Sequence, residues 1–140
     1  MTIELVDIPG FIQPDSSKWK IKALEIDGTS PALAALDDWQ RNREKDYKQI
    51  INVMKQVAAN FRVTNPRQVK KTHSPKKHGS IYEMRAHTNQ ARLLFFYDST
   101  NGNIVVCANS HTKGHGNQDA AFDQCSALKR FYESQYTPHR

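Results

Sequence analysis

Three short apolar segments constrain the fold most, because the links between them allow little except tight turns. The segments span residues 81–86, 91–97 and 104–109. Residues 87–90 join the first two, and the second link, 98–103, contains Asn101-Gly102, a dipeptide typical of hairpin turns. Strands joined by links of this length pair in antiparallel fashion. The sequence therefore predicts three consecutive antiparallel strands.

Helical periodicity precedes and follows these strands. Over residues 47–61 apolar side chains recur at helical spacing, forming the stripe Tyr47, Ile50, Ile51, Met54, Val57, Ala58 and Phe61. Ser30-Pro31 predicts an N-cap with proline at the first position of an earlier helix. One helix over 31–60 would run about 45 Å, longer than a small domain is wide, so we expect a break within residues 40–46. A last helix is predicted from near Asn117.

The order of these elements predicts the fold class. An alternating segment at 19–24 suits a strand before the helices, and residues 63–79 look like a long basic connection. The order β-α-α-β-β-β-α predicts an α+β fold of two layers, in which an antiparallel sheet packs against an N-terminal helical hairpin and a C-terminal helix. Residues 1–17, punctuated by Pro9-Gly10 and Pro14, are predicted to be an N-terminal extension. Residues 18–140 are then a single domain.

Positive charge is concentrated in the second half of the chain. Residues 1–61 carry 8 Lys and Arg against 9 Asp and Glu, whereas residues 62–140 carry 12 against 5. Within residues 62–92, Glu83 is the one acid among eight basic residues. Such a block attracts a polyanion through Coulomb forces and counterion release. Two interpretations stay open: a nucleic-acid surface, and a basic surface that is merely solvated or contacts an acidic protein.

The residue types near the last strands suit RNA cleavage without a metal ion. That reaction needs a deprotonated 2′-hydroxyl, a neutralised phosphate and a protonated leaving oxygen. Arginine and lysine stabilise phosphate, and histidine suits proton transfer because its ordinary pKa lies near 6.5. Adjacent strands lie about 4.8 Å apart, so side chains on or just past them can converge on one phosphate. The candidate catalytic residues are Arg85, Arg92, His111, Lys113 and His115.

Other residues are candidates for RNA binding or for no special role. The candidates for RNA binding are Lys70, Lys71, Lys76, Lys77 and Tyr97. The alternative for the four lysines is a solvated loop, and the alternative for Tyr97 is a position in the core. His111 and His115 have a His-x₃-His spacing, but with no nearby cysteine or acid this is a weak metal motif, and we predict no metal site. Cys107 and Cys125 are expected to be buried, reduced thiols.

Several segments resemble a known family. Tyr82-Glu83-Met84-Arg85 resembles the L-Y-E-L-R strand of HigB-like toxins, and residues 91–97 and 104–109 resemble their Y-R-V-F-Y-F and I-V-L-L-H-G strands. Thr112-Lys113 falls where these toxins carry a lysine, and residues 119–132 fall on their closing helix. The resemblance, over roughly residues 19–136, is to the RelE/ParE superfamily of type II toxin–antitoxin systems and its phage-derived HigB-like branch. Two positions depart from the pattern: His111 replaces a phenylalanine, and Gly114 replaces a second lysine.

The resemblance implies a RelE-like toxin that inhibits translation as a ribosome-dependent mRNA endoribonuclease. It implies two partners, mRNA on the ribosome and a cognate antitoxin, often a helix-turn-helix protein. Alternatives are a ParE-like inhibitor that binds gyrase, which would not need the basic and histidine-rich residues, and an RNA-binding relative without activity. We see no secretion signal, membrane span or Gly-rich phosphate loop. We therefore expect a cytoplasmic protein with no membrane partner and no cofactor.

Overall fold

The computed structural model describes residues 2–72, 79–86, 89–100, 102–112 and 118–136. In these residues the chain forms six strands and three helices. They are β1 (Ile3–Val6), β2 (Lys20–Ile26), α1 (Pro31–Asn42), α2 (Glu44–Ala59), β3 (Val69–Lys71), β4 (Tyr82–Arg85), β5 (Ala91–Asp98), β6 (Ile104–Thr112) and α3 (Gln118–Tyr136). The predicted α+β class is confirmed.

The six strands form one mixed sheet in the order β1-β2-β6-β5-β4-β3. The run β6-β5-β4-β3 is antiparallel, as is the pair β1-β2. The prediction of a wholly antiparallel sheet was wrong at one pair, because β2 lies parallel to β6, with Lys20 opposite Ile104 and Ala23 opposite Cys107. The helical hairpin is also not N-terminal, since β1 and β2 come before it. Parallel neighbours need a long crossover, and here the helices and three strands provide it.

Helices cover both faces of the sheet, so the protein has three layers rather than the predicted two. Phe95 and Cys107 pack with α1 and α2 in one core, whereas Phe96 and Val106 pack with α3 in a second core. Because successive strand residues point to opposite faces, these two cores lie on opposite sides of the sheet. The apolar run of β5 has the composition expected of a strand buried on both faces.

The helical hairpin follows the signals in its sequence closely. Ser30 Oγ accepts a hydrogen bond of 3.2 Å from the Leu33 backbone N–H, and Pro31 begins α1. Arg43 separates the two helices, within the predicted break. The helix α2 ends at Ala59, so Phe61 lies beyond the stripe on which it was predicted and is 66% exposed. Asp46, buried in the first turn of α2, accepts a 3.2 Å hydrogen bond from the Ala91 backbone N–H and so ties α2 to β5.

Two segments interpreted as irregular belong to the sheet. Residues 2–17, treated above as an extension, supply the edge strand β1 and the buried residue Ile8. The Gln13 side chain accepts from the Ile21 N–H and donates to the Trp19 carbonyl, which fastens this segment to β2. Within the basic connection, residues 69–71 form β3 at the other edge. Among the described residues, no helix is long and apolar enough to span a membrane.

Candidate functional site

Three of the five candidate catalytic residues are cross-strand neighbours. Arg85 on β4 lies opposite Arg92 on β5, and Arg92 lies opposite His111 on β6. The strand β6 continues to Thr112, so His111 belongs to the sheet instead of following it. Directly opposite residues have Cβ atoms about 4.5–5.5 Å apart. We call Arg85, Arg92 and His111 the arginine–histidine row.

The row lies on the face of the sheet that α3 covers. Tyr82 and Met84 pack into the core beneath α1 and α2, as strand alternation predicts for residues adjacent to Arg85. Glu83 and Arg85 therefore point to the other face. There, Asn109 Nδ2 donates to the Ala121 carbonyl and to Gln124 Oε1 of α3, at 3.0 and 3.1 Å. His111 therefore lies on the side of the sheet that α3 covers, whereas the Arg85 guanidinium reaches the carbonyl of Pro66, in the turn at residues 65–68.

The buried carboxylate of Glu83 organises the two arginines. Its Oε1 lies 3.6 Å from Arg85 Nε and 3.9 Å from Arg92 Nε, and the side chain is 4% exposed. Arg92 Nη1 also donates to the Asn89 and Ala91 carbonyls, at 3.0 and 2.9 Å. With 3% exposure, Arg92 is held in place from several sides and acts as a positioning residue. Arg85, whose side chain is 23% exposed, is the arginine of the row that solvent reaches more easily.

The protonation of the row follows from its burial. Burial lowers the pKa of His111 below its ordinary value of 6.5, and the neighbouring positive charge of Arg92 lowers it further. His111 is therefore neutral at pH 7, so it can accept a proton from a ligand but holds none in excess to donate. Burial also lowers the pKa of Arg92, as does repulsion from Arg85, while Glu83 opposes the shift. An arginine nevertheless stays charged at neutral pH.

The candidates for RNA binding divide between the two faces of the sheet. Lys70 lies opposite Glu83 on the neighbouring strand, so it joins the surroundings of the row. Lys71 is exposed, and its Nζ lies 5.8 Å from the centre of the Tyr82 ring, which belongs to the opposite face. Four other candidates, Lys76, Lys77, Lys113 and His115, lie outside the described residues.

Tyr97 does not join the row. It packs against the core beneath α1 and α2, with its ring 4.6 Å from that of Trp19. The Arg62 guanidinium carbon lies 3.8 Å from the centre of the Tyr97 ring. Burial raises the pKa of Tyr97 to about 12. The core position that the sequence left open for Tyr97 is therefore the one it occupies.

One feature beside the row was missed in the sequence. A groove of about 310 Å³ lies between α2 and the turn at residues 65–68, next to the end of β4. Its lining includes Gln49, Asn52, Val53, Arg67, Gln68 and Arg85. We call it the α2 groove. Gln49 and Asn52 lie outside the apolar stripe of α2, and only the packing of the turn against β4 makes them the wall of a groove.

Cys107 and Cys125 are free, buried thiols, as expected, and belong to different cores. Burial raises the pKa of both, that of Cys125 to about 12, so neither is a thiolate at neutral pH. Within the described ranges, no group of three or more His, Cys, Asp or Glu side chains is arranged to hold a metal ion.

Comparison with known proteins adds no relative. No protein-family model, no curated protein and no solved structure matches this chain.

Proposed function

We propose that this protein is the toxin of a type II toxin–antitoxin system and cleaves mRNA as a metal-independent endoribonuclease. The observation that carries the proposal is the arginine–histidine row, in which Arg85, Arg92 and a neutral His111 lie side by side on three adjacent strands. When a 2′-hydroxyl attacks its own phosphodiester, a neutral imidazole can accept the hydroxyl proton and a cation can stabilise the charge on the phosphate. The resemblance of residues 82–85, 91–97 and 104–109 to HigB-like toxins supports the same activity.

Each group has a role in this mechanism. His111 accepts the proton of the 2′-hydroxyl, and the 2′-oxygen attacks phosphorus. Arg85 stabilises the negative charge that grows on the phosphate oxygens, while Arg92 fixes the carboxylate of Glu83 and hence Arg85. The bond from phosphorus to the 5′-oxygen breaks, and that oxygen takes a proton from a second group, for which Lys113 and His115 are candidates. The products are a 2′,3′-cyclic phosphate and a 5′-hydroxyl.

The proposal includes the partners and the boundaries. The proposed toxin domain includes β1, which is an edge strand of its sheet. The substrate is mRNA in the ribosome, which makes the cytoplasm the place of action. A cognate antitoxin, often a helix-turn-helix protein in this superfamily, would neutralise the toxin.

Expression in bacteria without the antitoxin tests the proposal. Growth should arrest, and primer extension on mRNA should show new 5′ ends. In a purified system containing ribosomes and mRNA, the isolated fragments should carry 5′-hydroxyl ends. The nuclease assignment fails if cells grow normally with a high level of folded protein and intact mRNA.

A second candidate is an RNA-binding relative that does not cleave. The burial of Arg92 and His111, which are 3% and 8% exposed, favours it, because a catalytic group must reach the reacting atoms. RNA affinity without new 5′ ends in the primer-extension experiment would select this candidate.

A further inference from the structure

The α2 groove carries the charge pattern of a site for an anion. Arg67 and Arg85 line it, and no Asp or Glu is among its lining residues. Its other polar groups are side-chain amides, from Gln49, Asn52, Asn65 and Gln68, above the buried Val53. Side-chain amides combined with arginines suit a ligand that joins a negative charge to a planar group with hydrogen-bonding edges.

Several of these polar groups have no partner in the part of the chain that the structure describes. The side-chain amides of Asn52 and Gln68 form no hydrogen bond there, and the Arg67 guanidinium forms no ion pair. Each free amide offers both donors and an acceptor. The groove therefore presents two complete hydrogen-bonding edges and one uncommitted cation to a ligand.

Hydrogen bonds fix the backbone around the groove. Asn65 Oδ1 accepts a 3.0 Å hydrogen bond from the Arg67 N–H and shapes the turn. The Arg85 N–H donates to the Gln68 carbonyl at 2.8 Å, and Arg85 Nη1 donates to the Pro66 carbonyl at 2.9 Å. On the helix side, Gln49 Oε1 accepts from Asn89 Nδ2 at 3.2 Å. A backbone that is already ordered loses little conformational entropy on binding.

We propose that the α2 groove binds one base of single-stranded RNA, adjacent to the phosphate held by Arg85. Asn52 and Gln68 read the hydrogen-bonding edge of the base, and Arg67 binds a neighbouring phosphate. At about 310 Å³, the groove is near the lower limit of roughly 300 Å³ for small-molecule sites, which suits one base. This inference rests on the proposed function for the identity of the ligand, and it assigns base selection to residues outside the arginine–histidine row.

Binding of uncleavable RNA tests the inference separately from catalysis. The probes are fluorescein-labelled 2′-fluoro 12-mers of A, C or U, which lack the 2′-hydroxyl and cannot be cut by the proposed reaction. We expect the dissociation constants of the wild-type protein for the three probes to differ by about tenfold, since one good amide–base pair discriminates on this scale. Asn52→Ala combined with Gln68→Ala should reduce this difference to less than about threefold.

Matched variants make the result specific. Gln56→Ala removes an exposed amide from α2 outside the groove and should keep the tenfold difference. Arg67→Ala should weaken the binding of all three probes and lower the salt dependence by the contribution of about one phosphate. Should the double variant fail to fold, the isosteric Asn52→Asp variant replaces it, because a carboxylate in the groove must weaken every probe.

The outcomes separate the two claims. Equal affinity of the wild type for all three probes, or an unchanged preference in the groove variants, overturns the base site even if the protein cuts mRNA. Conversely, a base preference that the groove variants abolish upholds the site even if the wild type leaves natural RNA uncut, in which case the nuclease function alone fails.

Discussion

Replacing Arg85 with alanine should separate activity from stability. The side chain is 23% exposed and makes one hydrogen bond, to the carbonyl of Pro66 in an exposed turn that water can solvate instead. In the variant, Glu83 Oε1 would still lie 3.9 Å from Arg92 Nε, so the buried carboxylate would keep a positive neighbour. We therefore expect the free energy of unfolding to fall by only about 1 kcal/mol. For a chain of this length that lowers the melting temperature by about 3–4 °C.

The effect of the same substitution on cleavage should be much larger. Loss of one preorganised donor to a developing anion typically lowers the rate by about 10² to 10³-fold. The assays are primer extension on mRNA and thermal melting of each purified variant. Arg41→Ala is the matched control, because Arg41 is 66% exposed and pairs with Asp37 on α1, far along the chain from the row. It should change neither quantity.

Two results would refute this reasoning. Full cleavage by Arg85→Ala would show that the row does not hold the scissile phosphate. A melting temperature more than about 10 °C below that of the wild type would correspond to a loss near 3 kcal/mol and would make Arg85 primarily structural.

Four further substitutions or conditions have defined outcomes. Arg92→Met removes two hydrogen bonds and a buried partner of Glu83, so urea unfolding should show a loss of about 3 kcal/mol; wild-type stability would contradict its positioning role. Because the pKa of His111 is lowered, the unfolded chain takes up a proton near pH 6.5 before the folded chain does. Acidification from pH 7.5 should therefore destabilise the wild type more than His111→Gln, and parallel pH curves would count against a buried neutral imidazole. The Tyr97 hydroxyl is buried without a hydrogen-bond partner among the described residues, so Tyr97→Phe should change the unfolding free energy by less than about 0.5 kcal/mol and leave RNA affinity intact, whereas weaker RNA binding would restore its stacking role. In a plot of log RNA affinity against log salt concentration, the slope should be roughly −0.7 to −0.9 for each neutralised phosphate. An affinity that does not change with salt would indicate that the basic segment 62–92 contacts a protein partner instead of RNA.

The elements that the sequence predicted well are those whose signals are local. The N-cap Ser30, the break at Arg43 and the start of α3 near residue 118 depend on residues within a turn or two of each other. The same holds for the three consecutive strands, whose tight links decide their pairing. Strand alternation likewise places Arg85 on the face opposite to Tyr82 and Met84, and it needs no knowledge of the rest of the fold.

The site could be predicted only in part. Pairing of β4, β5 and β6 brings Arg85, Arg92 and His111 together, as the sequence predicted from adjacent strands. Their burial was not foreseen, because it depends on Glu83 and on carbonyl groups that only the folded chain brings close. Tyr97 was a candidate for RNA binding as well as for the core, because aromatic residues serve equally well in a core and on a binding surface.

The sequence by itself determined the three helices, the strands other than β1 and β3, and where basic side chains concentrate, because backbone propensity, turn chemistry and charge are properties of neighbouring residues. Only the tertiary structure decided that β2 lies parallel to β6, that residues 2–17 complete the sheet, and that helices cover both of its faces. Those outcomes depend on the burial of apolar surface between segments far apart in the chain. The α2 groove has the same origin. Gln49 is 19 residues from Gln68 and 36 from Arg85, and these walls meet only when α2 packs on the sheet.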